Sequence, residues 1–146
     1  MEWVLKNYKE LTKEELYGLL RLRAEVFVVE QDCPYQDLDN KDQLAHHLLG
    51  KIDNQVAAYL RIFKAGDYFQ EISIGRVVVK PSYRSMGLGH KLMQQAILFI
   101  EQNSKQKSIR ISAQTYLKNF YESHGFKQIG EAYLEDGLPH IGMLRK

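Results

Sequence analysis

The 146-residue sequence contains one cysteine, three prolines and one tryptophan. A lone cysteine, Cys33, cannot form a disulfide within the chain, which argues against a small secreted disulfide scaffold. An excess of charge of one sign is also missing, since 20 lysines and arginines nearly balance 18 acidic residues. That balance argues against a nucleic-acid partner.

Long apolar runs are absent as well. The longest, Ala96 to Ile100, is far too short to cross a bilayer. The N-terminus shows no charged segment followed by an apolar one, as a secretory leader would. We therefore expect one domain over residues 1–146, located in the cytoplasm and without a membrane partner.

Hydrophobic periodicity and turn residues predict ten elements. Thr12 and Glu15 form a capping-box pattern ahead of a helix, and Pro81 ends the most apolar strand. The mixed order, with hairpins near both ends, predicts an α+β fold with one mixed sheet rather than a doubly wound sheet. The expected elements are a strand at 3–5, a helix at 12–27, strands at 46–51, 56–63 and 72–79, a helix at 87–103, a strand at 109–113, a helix at 116–124, and strands at 128–134 and 141–144.

A glycine-containing segment, Arg84 to Gly89, joins the most apolar strand to the following helix. Closely spaced glycines let a ligand approach the backbone, and the free N–H groups and dipole of a helix start favour an anion. A Rossmann fingerprint is excluded because Leu92 stands where a third small residue is needed, and a Walker loop because His90 follows Gly89. A plain strand-to-helix turn is the alternative interpretation.

The run from Val77 to Gly89 resembles the central motif of the GCN5-related N-acetyltransferases (GNAT), Arg/Gln-x-x-Gly-x-Gly/Ala after a strand. The resemblance implies the GNAT fold, a mixed, mostly antiparallel twisted sheet with flanking helices. It further implies acetyl-CoA as the acetyl donor and no metal. The residues that it assigns to coenzyme A are Val77, Val78, Val79 and Gln114 for the pantetheine arm, and Arg84, Ser85, Met86, Gly87, Leu88 and Gly89 for the pyrophosphate.

A second segment, Asn119 to Phe126, resembles the helix of that family that ends in Tyr-x-x-x-Gly-Phe. The resemblance implies that Tyr121 is the general acid that protonates the leaving thiolate. A phenol with a pKa of ~10 suits a thiol with a pKa of ~8.5. A packing role for the Tyr121 ring is the alternative.

The general base is less well defined by the sequence. An alkylamine with a pKa of ~10.4 is almost entirely protonated at pH 7, so its attack on a thioester requires removal of a proton. Many relatives place a glutamate on the central strand, but the stretch from Ser73 to Arg76 has no carboxylate. His46 and His47 are consecutive on a strand, so only one of them can face the interior. The candidate bases are Glu30, Asp42, His46 and His140.

Two acidic stretches, Val26 to Asp39 and Tyr133 to His140, resemble the ElaA-like branch of the same family. Together with the central motif, the resemblance covers nearly the whole chain. Carboxylates in and beside these stretches would attract a cationic amine. The expected acceptor-binding residues are Asp37, Asp42, Glu135, Asp136 and His140. The alternative is a solvated acidic loop followed by a tight Asp-Gly hairpin turn.

The expected function is therefore an acetyl-CoA-dependent N-acetyltransferase in which an amine attacks the thioester directly. Its acceptor is a small-molecule amine or an amine of a peptide or protein, and a homodimer is compatible with this expectation. A non-catalytic CoA-binding regulatory module is the alternative, because the strand glutamate is missing. Release of thiol from acetyl-CoA with a panel of amines would separate the two.

Overall fold

A seven-stranded mixed sheet carries the three α-helices of the chain. The computed structural model describes all residues from 1 to 146. No helix has both the length and the apolar composition that crossing a membrane requires. The strands are β1 (Glu2–Asn7), β2 (His46–Ile52), β3 (Gln55–Phe63), β4 (Ile72–Val79), β5 (Ile109–Gln114), β6 (Lys127–Glu135) and β7 (Leu138–Arg145), and the helices are α1 (Lys13–Arg23), α2 (Leu88–Asn103) and α3 (Lys118–Glu122).

The strands follow the order β1-β2-β3-β4-β5-β7-β6 across the sheet. Every neighbouring pair is antiparallel except β4 and β5, which are parallel. These two strands pair only at Ile72 with Ile109 and at Ser73 with Arg110. Beyond those residues β4 and β5 diverge, and an opening forms between the two halves of the sheet.

The helices cover opposite faces of the sheet. On one face, α1 contributes Leu19 and Leu22 to a cluster with Leu49 and Tyr59 of the sheet. The other face packs against α2, in a larger cluster that also contains Tyr121. The apolar side chains of α2 recur at helical spacing, which is why this helix buries one face against the strands.

Helix α1 begins with the capping box that the sequence predicts. The Thr12 hydroxyl accepts a hydrogen bond from the Glu15 amide, and the Glu15 carboxylate accepts one from the Thr12 amide. The helix continues without interruption into a π-helical segment, Ala24–Glu30. Such segments are rare and often lie at functional sites, and this one delivers Glu30 to the opening between β4 and β5.

The predicted fold class, α+β with one mixed and mostly antiparallel sheet, is confirmed, and so is the order of the elements. The helix predicted for residues 116–124 is shorter, since Thr115–Leu117 forms a 3₁₀ turn before α3. Three further 3₁₀ turns, Tyr8–Glu10, Asp42–Leu44 and Pro81–Met86, lie in segments that the periodicity left without structure.

Candidate functional site

A cleft of about 670 Å³ lies where β4 and β5 diverge. Its walls come from β4, β5, the starts of α2 and α3, the π-helical segment and the β6–β7 hairpin. The predicted site residues that line it are Glu30, Val77, Val78, Val79, Arg84, Gly87, Gly89, Gln114, Tyr121, Glu135, Asp136 and His140. Ser85, Met86, Leu88, Asp37, Asp42 and His46 do not.

A bulge in β4 shapes one wall of the cleft. Between the pairs Arg61–Gly75 and Tyr59–Val78, β4 holds one residue more than β3. Arg76 occupies this bulge with a φ of 52°. Bulges interrupt the ladder and redirect side chains, so the backbone from Gly75 to Val79 faces the cleft without a partner strand on the β5 side.

The glycine segment forms the end of the cleft next to α2. Gly87 has a φ of 71° and caps α2 without a side chain. Because the first amides of a helix have no intrahelical partner, the N–H groups of Leu88, Gly89 and His90 remain available to an anion. The Leu88 side chain is buried in the core, whereas Ser85 and Met86 are exposed outside the cleft wall.

Arg84 is held at the mouth of the cleft by Glu30. Its two terminal nitrogens donate hydrogen bonds of 2.6 and 2.5 Å to the two Glu30 oxygens. These bonds hold the pKa of Glu30 below its usual value, against a smaller opposite effect of burial. Both side chains are about 40% exposed, so the pair is accessible to an incoming anion.

Tyr121 lines the cleft from α3, with only 6% of its surface exposed. Its ring contacts Phe120 and Phe126 edge to face. Burial, with a smaller contribution from Tyr116, raises the pKa of Tyr121 well above its ordinary value. The phenol therefore carries its proton at every physiological pH.

The β6–β7 hairpin brings a polar cluster to the opposite wall. Glu135 is 3.5 Å from His140 and accepts a hydrogen bond of 3.1 Å from Ser112. Ser112 also shares a short hydrogen bond with Tyr133, whose ring stacks on His140. Neither Glu135 nor Asp136 pairs with a lysine or an arginine.

The two acidic stretches meet at this hairpin. The Cys33 thiol lies 3.4 Å from the Asp136 carbonyl oxygen, to which it donates. Nearby, Gln114 donates a hydrogen bond of 3.2 Å to Gln31. The segment after the π-helical turn therefore closes over the end of β5, and residues about 100 positions apart in sequence share one wall of the cleft.

The structure corrects the expectation for Asp37 and Asp42. Both are buried, and Asp42 accepts hydrogen bonds of 2.8 Å from each of Arg23 and Arg61. Asp37 is bound by Arg23 and Arg76. Since these carboxylates are already neutralised by arginines and lie outside the cleft wall, they are not placed to bind a cationic acceptor or to act as a base.

His46 also lies outside the cleft wall. It is exposed on β2 and packs against Phe99 of α2. Its neighbour His47 faces the interior, as strand alternation requires for one of the two. The His47 Nε2–H donates to the Asp42 carbonyl oxygen, which leaves Nδ1 to accept from the Tyr59 hydroxyl. Burial lowers the pKa of His47 and keeps the ring neutral.

Several cleft residues were not predicted from the sequence. Arg76 and Tyr35 line the wall near Cys33, and Ser112 connects β5 to the hairpin. A glycine inside a strand is a recognised sign of a bulge. Gly75 could therefore have indicated that the strand is distorted at the neighbouring Arg76. Ser112 and Tyr35 carry no such signal, because their positions depend on how distant segments pack.

Comparison with known proteins shows one family match that covers nearly the whole chain. A family described as the acetyltransferase (GNAT) domain matches residues 7–146. The protein ElaA of Escherichia coli strain K12 is 42% identical over 148 aligned residues, which include 100% of this chain and 97% of ElaA.

Solved structures agree with the sequence relatives. The crystal structure of an acyl-CoA N-acyltransferase from Pseudomonas aeruginosa superposes with a TM-score of 0.94 at 44% identity, over 100% of both chains. The crystal structure of Escherichia coli ElaA gives a TM-score of 0.93 at 40% identity, again over 100% of both chains. The GNAT-type fold implied by the sequence motifs is thereby confirmed.

Proposed function

Because the chain belongs to the acetyltransferase (GNAT) domain family and is an acyltransferase, we propose that it transfers an acetyl group from acetyl-CoA to an amine. The observation that carries the proposal is the single cleft between β4 and β5, which is lined by the glycine segment, by Tyr121 and by the acidic hairpin. Each of these supplies one requirement of the reaction.

The donor would bind along β4 and at the start of α2. Val77 to Val79 lie beside the divergence of β4 from β5, where their backbone groups face the cleft and can bind an extended pantetheine arm. The uncapped amides after Gly87 suit a pyrophosphate. Arg84 adds a guanidinium, which can form paired hydrogen bonds with phosphate oxygens once it leaves Glu30.

Tyr121 would protonate the sulfur as the thioester breaks. Its buried phenol keeps its proton, and the same dry surroundings make a developing thiolate more basic than it is in water. A proton donor poised in the transition state typically contributes about 10²–10⁴-fold to the rate.

The acceptor would enter at the β6–β7 hairpin as a cation. Two cleft-lining arginines, Arg76 and Arg84, are each paired with a carboxylate. Glu135 and Asp136 are not paired with a lysine or an arginine, so the unbalanced charge of the cleft wall is negative. A negative wall concentrates protonated amines by electrostatic attraction.

The acceptor class, the location, the oligomeric state and the absence of a metal are also proposals. The acceptor is either a small-molecule amine or an amine of a peptide or protein, and the protein acts in the cytoplasm as one domain, alone or as a homodimer. We expect no metal in the reaction, since an amine can attack an activated thioester without a Lewis acid.

The proposal is tested by measuring thiol release from acetyl-CoA in the presence of alkylamines, amino acids and lysine-containing peptides. Release that depends on one class of amine, with an acetylated product of matching mass, supports it and identifies the acceptor. If calorimetry shows acetyl-CoA binding but no amine accelerates thiol release, the chain is the non-catalytic CoA-binding module instead. That alternative draws on the absence of a carboxylate from Ser73 to Arg76.

A further inference from the structure

The His140 ring is fixed in one tautomer by its own strand. Its Nδ1 lies 2.8 Å from the Leu138 carbonyl oxygen. A carbonyl oxygen only accepts, so Nδ1 carries the hydrogen and donates it. In the neutral ring the lone pair is therefore on Nε2, the nitrogen that a proton from the acceptor would reach.

A carboxylate is placed to stabilise the protonated form of this ring. Glu135 Oε2 is 3.5 Å from His140 Nε2, and Ser112 holds the other Glu135 oxygen through a hydrogen bond of 3.1 Å. The charged or titratable groups that face the ring are Glu135 and Tyr133 of β6, and Asp136 of the adjoining turn also lines the cleft. No arginine or lysine opposes protonation there.

His140 also has the surroundings that proton transfer requires. It is 7% exposed and lines the same cleft as Tyr121. Its strand position is opposite Gln114 on β5, at the edge where β5 has left β4. The other three candidate bases lack this combination. Glu30 is bound by Arg84, Asp42 lies between Arg23 and Arg61, and His46 is outside the cleft.

We propose that His140 is the general base that removes a proton from the acceptor amine, with Glu135 as the residue that orients and stabilises its imidazolium. This inference rests on the proposed function and adds the residue that the β4 strand does not supply. It also gives the acidic hairpin a second role, since Glu135 would both attract the cation and support its deprotonation.

The proton transfers balance as follows. The ammonium gives one proton to His140 Nε2, and the neutral nitrogen attacks the thioester carbon. The C–N bond forms, the C–S bond breaks, and the leaving sulfur takes the Tyr121 proton. The second proton of the nitrogen passes to water, His140 releases its own proton to water, and the Tyr121 phenolate recovers one. One proton is released per amide and thiol formed.

The test compares His140→Gln with the parent enzyme, using the alkylamine that the thiol-release screen identifies. We expect kcat to fall about 10²–10⁴-fold while acetyl-CoA affinity stays the same. The parent kcat should decline at acidic pH, where a protonated base cannot accept the proton of the amine, and this decline should disappear in the variant. His46→Gln, an exposed histidine outside the cleft, is the matched control and should behave as the parent does.

The decisive comparison repeats these measurements with a weakly basic arylamine that is similar in size to the alkylamine. Such an amine is neutral at pH 7 and needs no initial deprotonation, so the His140→Gln defect should shrink to about tenfold or less. Glu135→Gln should lower kcat less than His140→Gln does and move the decline to lower pH, because an imidazolium without its carboxylate loses its proton more easily. If His140→Gln does not fold, the shift of the pH profile in Glu135→Gln tests the proposal instead.

Equal loss with both amines, or a parent-like pH profile in His140→Gln or Glu135→Gln, would overturn the role of His140. Those results are distinct from a failure of the proposed function, in which the parent enzyme itself acetylates no amine.

Discussion

At the scale of single residues, Tyr121 allows the proposed catalytic step to be tested separately from cofactor binding. Its ring packs against Phe120 and Phe126, and the residue is part of the cleft wall. Replacement by phenylalanine retains the packing and removes the proposed proton donor.

We therefore expect Tyr121→Phe to lower turnover by about 10²–10⁴-fold with little change in acetyl-CoA affinity. Steady-state kinetics and calorimetry on the same preparation measure the two effects. Tyr17→Phe, at an exposed position outside the cleft, should change neither. Parent-like turnover of Tyr121→Phe, with chemistry as the slow step, would return Tyr121 to a packing role.

Gly87 gives a second residue-scale prediction. Its φ of 71° favours glycine, and a Cβ there would meet no atom within 4 Å. Gly66 has a φ of 91° and equally open surroundings in a loop away from the cleft. Alanine at either position should destabilise the fold by a similar ~1–2 kcal/mol.

Only Gly87→Ala should also weaken acetyl-CoA binding, because it alters the backbone that presents the α2 amides. Thermal melts with and without acetyl-CoA measure both quantities. If both variants bind acetyl-CoA as the parent does, the glycine segment is a structural turn rather than a phosphate site.

At the scale of elements, the π-helical segment and the start of α2 are joined by the Glu30–Arg84 pair. A pyrophosphate at the α2 amides would have to compete with Glu30 for the Arg84 guanidinium. Such an exposed pair stabilises the fold by only about 0–1 kcal/mol, so the exchange is easily made.

Glu30→Gln should accordingly tighten acetyl-CoA binding a few-fold, because Arg84 loses its competing anion. Arg84→Ala should weaken binding by roughly 1.5–3 kcal/mol if a charged hydrogen bond is lost. Calorimetry with acetyl-CoA shows whether each variant binds more tightly or more weakly than the parent. Glu25→Gln, on the same segment and 3.8 Å from Lys80, is the control. Weaker binding in Glu30→Gln would show that Glu30 positions Arg84 rather than competing for it.

The β6–β7 turn is the element we expect to attract the acceptor. Asp136 has a φ of 51°, and Asp53 in the β2–β3 turn has a φ of 50°. Asparagine accepts this backbone conformation as readily as aspartate does, so both Asp→Asn changes should leave the fold intact.

Asp136→Asn should raise the amine KM and make activity less sensitive to salt, whereas Asp53→Asn should not. Amine titrations at two ionic strengths measure this difference. If the two variants match, the hairpin charge is solvated surface with no part in acceptor binding.

At the scale of the whole molecule, a buried ion network connects α1, the acidic loop and the sheet. Arg23 and Arg61 are 0% and 1% exposed, and Asp42 bridges them. Leaving a buried charge unpaired typically costs about 3–5 kcal/mol. Without Asp42, Arg23 still binds Asp37 and Arg61 still binds Asp39, so the cost of losing Asp42 lies at or below the lower end of that range.

Asp42→Ala should therefore lower the free energy of unfolding by about 3 kcal/mol or less, while the folded fraction keeps the parent amine KM. Urea titration measures the first and kinetics the second. Asp67→Ala, in a loop without an ion pair, should be near neutral. A raised amine KM in Asp42→Ala would restore the acidic loop as an acceptor site.

Two carboxylates, Asp39 beside this network and Glu15 between Lys6 and Lys51, make the fold sensitive to acid. Burial raises the pKa of Asp39 and Glu15, but hydrogen bonds outweigh it, from Arg61 to Asp39 and from Lys51, Thr12 and Lys6 to Glu15, and lower each pKa to about 2. A carboxyl whose pKa is lower in the folded state stabilises the fold above its unfolded pKa. That contribution disappears as the pH falls from about 5 toward 2. Stability should decline across this window, and Glu15→Gln should reduce the decline.

The sequence by itself determined the order and type of the elements. The Thr12 capping box, the helical spacing in α2 and the glycines after β4 report local hydrogen bonding and periodicity, which act over a few residues. Together with the resemblance to the GNAT motif, these local signals also predicted the proposed donor side of the cleft, because its strand, loop and helix are consecutive in the chain.

Only the tertiary structure decided which of the predicted acceptor-binding residues lie in the cleft. Periodicity does not state which arginine will neutralise Asp37 or Asp42, nor that Cys33 and Asp136, 103 positions apart, will meet. The His140 tautomer depends on a hydrogen bond within its strand. The position of its ring depends on β5, on β6 and on the divergence of β4 from β5. Such contacts are chosen by packing across the sheet, where the energy depends on distance in space and not on distance along the chain.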